Sequence, residues 1–251
     1  MKRREFLGAS AAMVALGVGG YPFSVFAEDK AKPAGTRPNI ILIVADDVGY
    51  GDLACYGHPR NRTPHVERLA QEGLKFTNFH ANGPMCSPTR AALLTGQYQN
   101  RFGKPFEGPL SAKSPDIGLP TDAATIPRVL KKAGYATGMY GKWHLGYQHL
   151  HLPTDFGFND FRDLLTWDGD HISHISRSGT EDWYHNDKIE MEKGYSSELI
   201  TRHSIDFMKK NKDAPFFFYI APAIIKEAVE RSDRYPIGEK YTGGPIWKKS
   251  P

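Results

Sequence analysis

The sequence predicts an α/β protein in which a mostly parallel sheet lies between layers of helices. Two observations carry this expectation. The runs "NIILIV" (39–44) and "APFFFYIA" (214–221) are apolar at nearly every position, the pattern of strands buried on both faces rather than one. Between them, strand-like stretches alternate with helical ones that carry their own start and stop residues, as crossover helices do. At 251 residues, with 25 glycines, 18 prolines and 40% hydrophobic residues, the chain suits one sizeable, loop-rich domain.

The first strand, Ile40 to Val44, runs into "ADDVGYGD" (45–52), two aspartates followed by a glycine-rich turn. "TPHVERLAQEGLKF" (63–76) reads as a helix. Thr63 is its cap, Pro64 its first residue, Val66, Leu69 and Ala70 its apolar stripe, and Gly73 its stop. "LKFTNFHAN" (74–82) is expected to be the next strand. "CSPTRAALLTG" (86–96) then forms a helix, with Ser87 able to cap, Pro88 in the first turn and Gly96 as terminator. Residues 126–133 form another, ended by Gly134, and a short strand leads into "GKWHLG" (141–146). Residues 161–187 have no strong period and read as loop and pocket wall. An amphipathic helix over 195–211 precedes the last strand. The sequence shows no internal repeat.

Residues 1–27 have a basic start, a short apolar stretch rich in glycine and alanine, and "VFA" before a cleavage point after Ala27. That is the make-up of a secretory leader, too short for a membrane span. Arg3-Arg4 before Phe6-Leu7 gives it a twin-arginine character, an ordinary leader or a membrane anchor being the alternatives. Export to the periplasm or outside a bacterial cell is therefore expected, with export machinery as a partner and no membrane span after processing. Residues 28–36 read as a flexible linker. Removing the leader takes out Lys2, Arg3, Arg4 and Glu5 and leaves a nearly balanced chain, with no basic stripe to bind nucleic acid. Two cysteines, Cys55 and Cys86, allow one bridge in an oxidising compartment, but are too few for a disulfide scaffold or a cysteine-rich zinc site.

Several residues have the chemistry for a site. Asp46 and Asp47 lie at the carboxyl end of the first strand, where open α/β sheets place their ligands. Adjacent carboxylates repel unless a cation lies between them, and hard oxygens favour Ca²⁺ or Mg²⁺; an Asx-turn with a helix cap explains them as well. Cys86 stands at a helix start, which lowers a thiol pKa and binds oxyanions, and Arg90 follows one turn later. A small buried thiol fits the local pattern too. Lys142 and His144 flank Trp143 and, on a strand end, would face the same way. His171 and His174 in "DHISHI" suggest metal spacing or a pocket wall.

Taken in order, "ADDVGYGD", C-x-P-x-R with its "AALLTG" continuation, and "GYATGMYGKWHLG" resemble the sulfatase family over roughly residues 37–222. The resemblance implies an alkaline-phosphatase-like fold and hydrolysis of a sulfate ester. It also implies conversion of Cys86 to formylglycine by a formylglycine-generating enzyme, before export. Asp46, Asp47 and the formylglycine at 86 would bind Ca²⁺, with Mg²⁺ less favoured. Arg90 would hold and polarise the formylglycine, Lys142 would contact the sulfate, and His144 would hydrogen-bond the hydrated aldehyde. The "DGDHISH…DWYHND" stretch looks like one in sulfatases acting on sulfated sugars, which makes a sulfated glycan or small molecule the expected partner and His174 a subsite residue. A phosphate-ester or phosphonate hydrolase of the same fold and a non-catalytic remnant are the alternatives. The family's later histidine, its Asp-Asn pair and a further lysine do not follow "PFFFYIAP", and residues 223–251 are atypical. The catalytic domain is therefore expected to be incomplete on its C-terminal side, and the isolated chain to have little or no activity.

Overall fold

The computed structural model describes residues 37–223, apart from 167, 168 and 177. The leader, the linker and the tail beyond Ala223 lie outside the described residues. Among the described residues six strands form one sheet in the order β1-β6-β2-β3-β4-β5. They are β1 (Ile40–Ile43), β2 (Ala136–Gly141), β3 (Asp160–Asp163), β4 (Tyr184–His185), β5 (Lys188–Ile189) and β6 (Phe216–Ala221). The first four in that order run parallel, and β4 and β5 add an antiparallel hairpin at one side.

Two apolar cores lie on the two faces of β6, because its side chains alternate. Phe217 and Tyr219 face a core with Met139, Trp143, Phe158 and Leu94, while Phe216 and Phe218 face Tyr140, Leu199, Ile200 and Phe207. The first core receives α2 (Cys86–Thr95) and α3 (Ile126–Lys132); the second is covered by α4 (Ser196–Lys210). This is the expected sheet between helix layers.

Three sequence expectations change. Among the described residues β1 is an edge strand: Ile40 and Leu42 pack on the first core, but Ile41 and Ile43 are 47% and 58% exposed because α4 covers only the strands beyond it. Residues 74–82 form no ladder. Lys75 Nζ instead donates to Cys55 O and Tyr56 Oη to Phe76 O, pinning the segment to a 3₁₀ turn at Ala54–Tyr56. Residues 161–187, expected to be loop, contain most of β3 and begin the β4–β5 hairpin, whose turn places Asn186 at φ 57°. The helix α1 (Pro64–Glu72) forms as expected, yet Thr63 Oγ1 accepts from Ala54 N rather than capping it. α3, α4 and Gly96 as the left-handed terminator of α2 match the sequence reading. Among the described residues no helix is long and apolar enough to cross a membrane.

Candidate active site

The carboxyl ends of β1, β6 and β2 meet at one edge of the sheet, and their backbones stay joined beyond the strands. Val44 N donates to Ile220 O, Asp46 N to Pro222 O and Lys142 N to Ala221 O, at 2.9, 3.1 and 2.9 Å. Gly141 makes this junction possible. Its φ is +111°, and a Cβ there would sit 2.3 Å from Ala221 O.

Three charged side chains converge at that edge. Asp46 Oδ2 accepts from Lys142 Nζ at 2.7 Å, and Asp46 Oδ1 from Arg90 Nη2 at 3.1 Å. All are buried: Arg90 is 2% exposed, Lys142 0% and Asp46 7%. Arg90 Nη1 also donates to Lys142 O at 2.7 Å and to Tyr219 Oη at 3.1 Å, so the guanidinium spans both strand ends. Burial opposes the charge on Asp46, but the cations of Arg90 and Lys142 outweigh it and hold the carboxyl below its usual range. Burial, then the Arg90 charge, lowers Lys142, while Asp46 and Cys86 work the other way.

Cys86 opens α2 and is half-buried and free, as is Cys55; no bridge joins them. Its negative charge would favour the cationic forms of both Arg90 and Lys142, which places the sulfur in their field. The α2 N-cap is Met85 rather than Ser87. Ser87 Oγ is engaged elsewhere, accepting from Leu110 N at 3.0 Å.

Leu110 O completes that link to His144, accepting from its Nε2 at 3.0 Å and from Tyr147 Oη at 2.8 Å. The carbonyl acceptor requires the Nε2–H tautomer. His144 is fully buried with φ 57°, and burial, together with the Lys142 and Arg90 charges, pushes its pKa down to about 3. The ring is thus neutral near pH 7.

The other expected residues lie differently. Asp47 is exposed, with φ 57°, so the two aspartates part in burial. No group of three or more His, Cys, Asp or Glu side chains that could hold a metal occurs among the described residues. The hard oxygens of Asp46 and Asp47 suit Ca²⁺ or Mg²⁺, but they form only part of a coordination shell. His174 is fully buried, its ring stacked on Trp183 at 4.0 Å. His171 is buried too, with Nδ1 2.8 Å from Ser196 Oγ.

The sulfatase family profile matches residues 38–242. The chain belongs to the sulfatase family. This sulfatase-family chain is 50% identical to human arylsulfatase A over 126 residues, 49% of the chain and 24% of that protein. It is 35% identical to human N-acetylgalactosamine-6-sulfatase over 214 residues, 76% of the chain and 40% of that protein. Among solved structures, Ps i-CgsB superposes with a TM-score of 0.70 at 33% identity, covering 77% of this chain and 46% of that one. BT4656, solved with its substrate D-glucosamine-2-N,6-O-disulfate, gives a TM-score of 0.63 at 30% identity, covering 76% of this chain and 35% of that one. The chain thus spans between about a quarter and a half of the relatives it matches.

Sequence reasoning did not find Tyr219 or Leu110. Tyr219 had a signal: it is a hydroxyl-bearing residue within an otherwise apolar buried run, and a buried phenol needs a partner. The backbone role of Leu110 has no sequence signal.

Proposed function

We propose that the protein hydrolyses a sulfate ester at the edge of the sheet where Cys86, Arg90 and Lys142 meet, after Cys86 has been converted to formylglycine. One observation carries the reading. Two buried cations, Arg90 and Lys142, interact electrostatically with Cys86, the first residue of α2, a position whose backbone N–H groups already favour an anion. The hydrated aldehyde supplies two hydroxyls, one to attack sulfur and one to discharge sulfate, which a plain thiol cannot.

The remaining work falls to side chains already in place. Lys142 binds the sulfate oxygens, and Arg90, fixed by Asp46 and Tyr219, presents charge to residue 86 without reorganising. Neutral His144, held by its Leu110 bond, would hydrogen-bond the hydrated aldehyde. Ca²⁺, or less favourably Mg²⁺, would be held by Asp46, Asp47 and residue 86, and would polarise a sulfate oxygen. A sulfated glycan is the substrate class we favour, supported by the doubly sulfated glucosamine named as the substrate of BT4656 and by the neocarrahexaose complex of Ps i-CgsB. Export through the leader at 1–27 and prior action of a formylglycine-generating enzyme belong to the same proposal, as does the assignment of 37–251 to the N-terminal part of a sulfatase catalytic domain.

Anion binding tests the cradle even where turnover is slow. Sulfate should raise the melting temperature of the formylglycine-bearing protein, by an amount that grows with the logarithm of concentration above Kd. Lys142→Ala should lose that rise. Stabilisation by phosphate and not sulfate would overturn the proposal in favour of a phosphate-ester hydrolase, and stabilisation by neither would favour a remnant without catalysis.

A further inference from the structure

The backbone carbonyls that fix Trp143 and His144 belong to a segment with its own anchor. Trp143 N donates to Leu164 O and His144 N to Leu165 O, each at 3.0 Å. That segment is gripped by one carboxylate: Leu165 N donates to Asp182 Oδ1 at 3.0 Å, Thr166 N to Asp182 Oδ2 at 3.2 Å, and Thr166 Oγ1 to Oδ2 as well. The backbone of Asp182 reaches the second histidine, its N–H donating to His174 O at 2.9 Å.

Both histidines need such restraint. His144 has φ 57° and His174 φ 56°, left-handed conformations that are strained for a side-chain-bearing residue and persist only where the surroundings fix them.

We propose that Asp182 is a positioning residue of the candidate active site, setting the backbone of His144 through Leu165 and that of His174 directly. The proposal rests on the sulfate-ester reading for its functional consequence. Asp182 is 2% exposed and lies beside Asp163, also 2% exposed. Burial and the Asp182 charge push the Asp163 carboxyl well above the usual range. The Asp182 carboxylate oxygens accept from three donors.

The test uses the full chain labelled in its histidine rings and observed by NMR, with sulfate binding measured alongside. Asp182→Ala should shift the ring signals of both His144 and His174 and weaken sulfate binding about tenfold or more. Asp182→Asn, which keeps one acceptor oxygen, should give smaller shifts and partial rescue. Asp160→Asn neutralises the carboxylate that accepts from Tyr140 Oη elsewhere on β3 and should leave both signals in place. If Asp182→Ala does not fold, Thr166→Val serves, with small shifts in the same direction expected. Unmoved histidine signals in a folded Asp182 or Thr166 variant would overturn the proposal, as would equal shifts in Asp160→Asn. Absence of sulfate binding by the unsubstituted protein would sink the sulfate reading alone, since the histidine shifts still decide the positioning role.

Discussion

Replacing Asp46 with asparagine should be one of the most damaging single-atom changes in this protein. Its carboxylate is the shared counter-ion of Arg90 and Lys142, at 3.1 and 2.7 Å, and all three groups are buried. The neutral amide would leave two desolvated cations facing each other, and breaking a buried pair this way costs about 3–5 kcal/mol. Lys142→Met is milder, because Asp46 keeps Arg90; the lost charged hydrogen bond is worth about 1.5–3 kcal/mol. The two changes should not add. Once Asp46 is neutral, removing Lys142 also removes an uncompensated charge, so the double variant should lose less than the sum by at least about 1 kcal/mol. Urea unfolding of the four proteins, with chelator present so that only internal charges act, measures each term. A loss under about 1 kcal/mol for Asp46→Asn, or additivity within about 0.5 kcal/mol, would refute the shared-counter-ion account.

Other expectations follow from single contacts. Gly141→Ala should cost at least about 2 kcal/mol by the same unfolding assay, because the methyl meets Ala221 O and φ is +111°. Cys86→Ala, at a half-buried helix start outside both cores, should change stability by no more than about 0.5 kcal/mol while abolishing any carbonyl labelling. His144 and His174 fold with pKa values of about 3 and about 4, below the unfolded value of about 6.5. The unfolded state therefore binds more protons, and stability should be full above pH 6.5 and fall as pH drops toward 4. Each histidine contributes a slope of about 1.4 kcal/mol per unit. His174→Phe, which keeps a ring against Trp183, should flatten that slope by one histidine's share; an unchanged slope would contradict the burial account. Ile43→Lys should reduce self-association in sedimentation runs without loss of stability, because it places a charge on an exposed position of an edge strand.

The sheet and its helices were legible because buried parallel strands and capped helices announce themselves locally. β6 reads as apolar throughout and is buried on both faces; β1 reads the same way yet lies at the edge, and no local pattern distinguishes the two. The β4–β5 hairpin was within reach of the sequence, since "YHNDKI" (184–189) puts Asn-Asp between two short strand-like pairs. Asp46, Arg90 and Lys142 were each flagged by chemistry, and their convergence follows from the topology, which brings the ends of β1 and β2 to one edge. What the sequence did not show is that Asp46 spends its charge inside the protein while Asp47 remains exposed. Nor could it show Asp182, whose partners are backbone groups 16 and 17 positions away. His174 drew attention for its ring, which the structure stacks on Trp183, while its carbonyl accepts from Asp182 N, a contact with no sequence signal.

The account stands most directly on the chemical state of residue 86. The decisive measurement is the mass of the tryptic peptide spanning 76–90, from protein produced together with a formylglycine-generating enzyme. The account predicts a peptide in which the Cys86 sulfur and two hydrogens have been replaced by one oxygen, and which reacts with a hydrazide. A peptide that retains an alkylatable thiol at Cys86 under those conditions would contradict it.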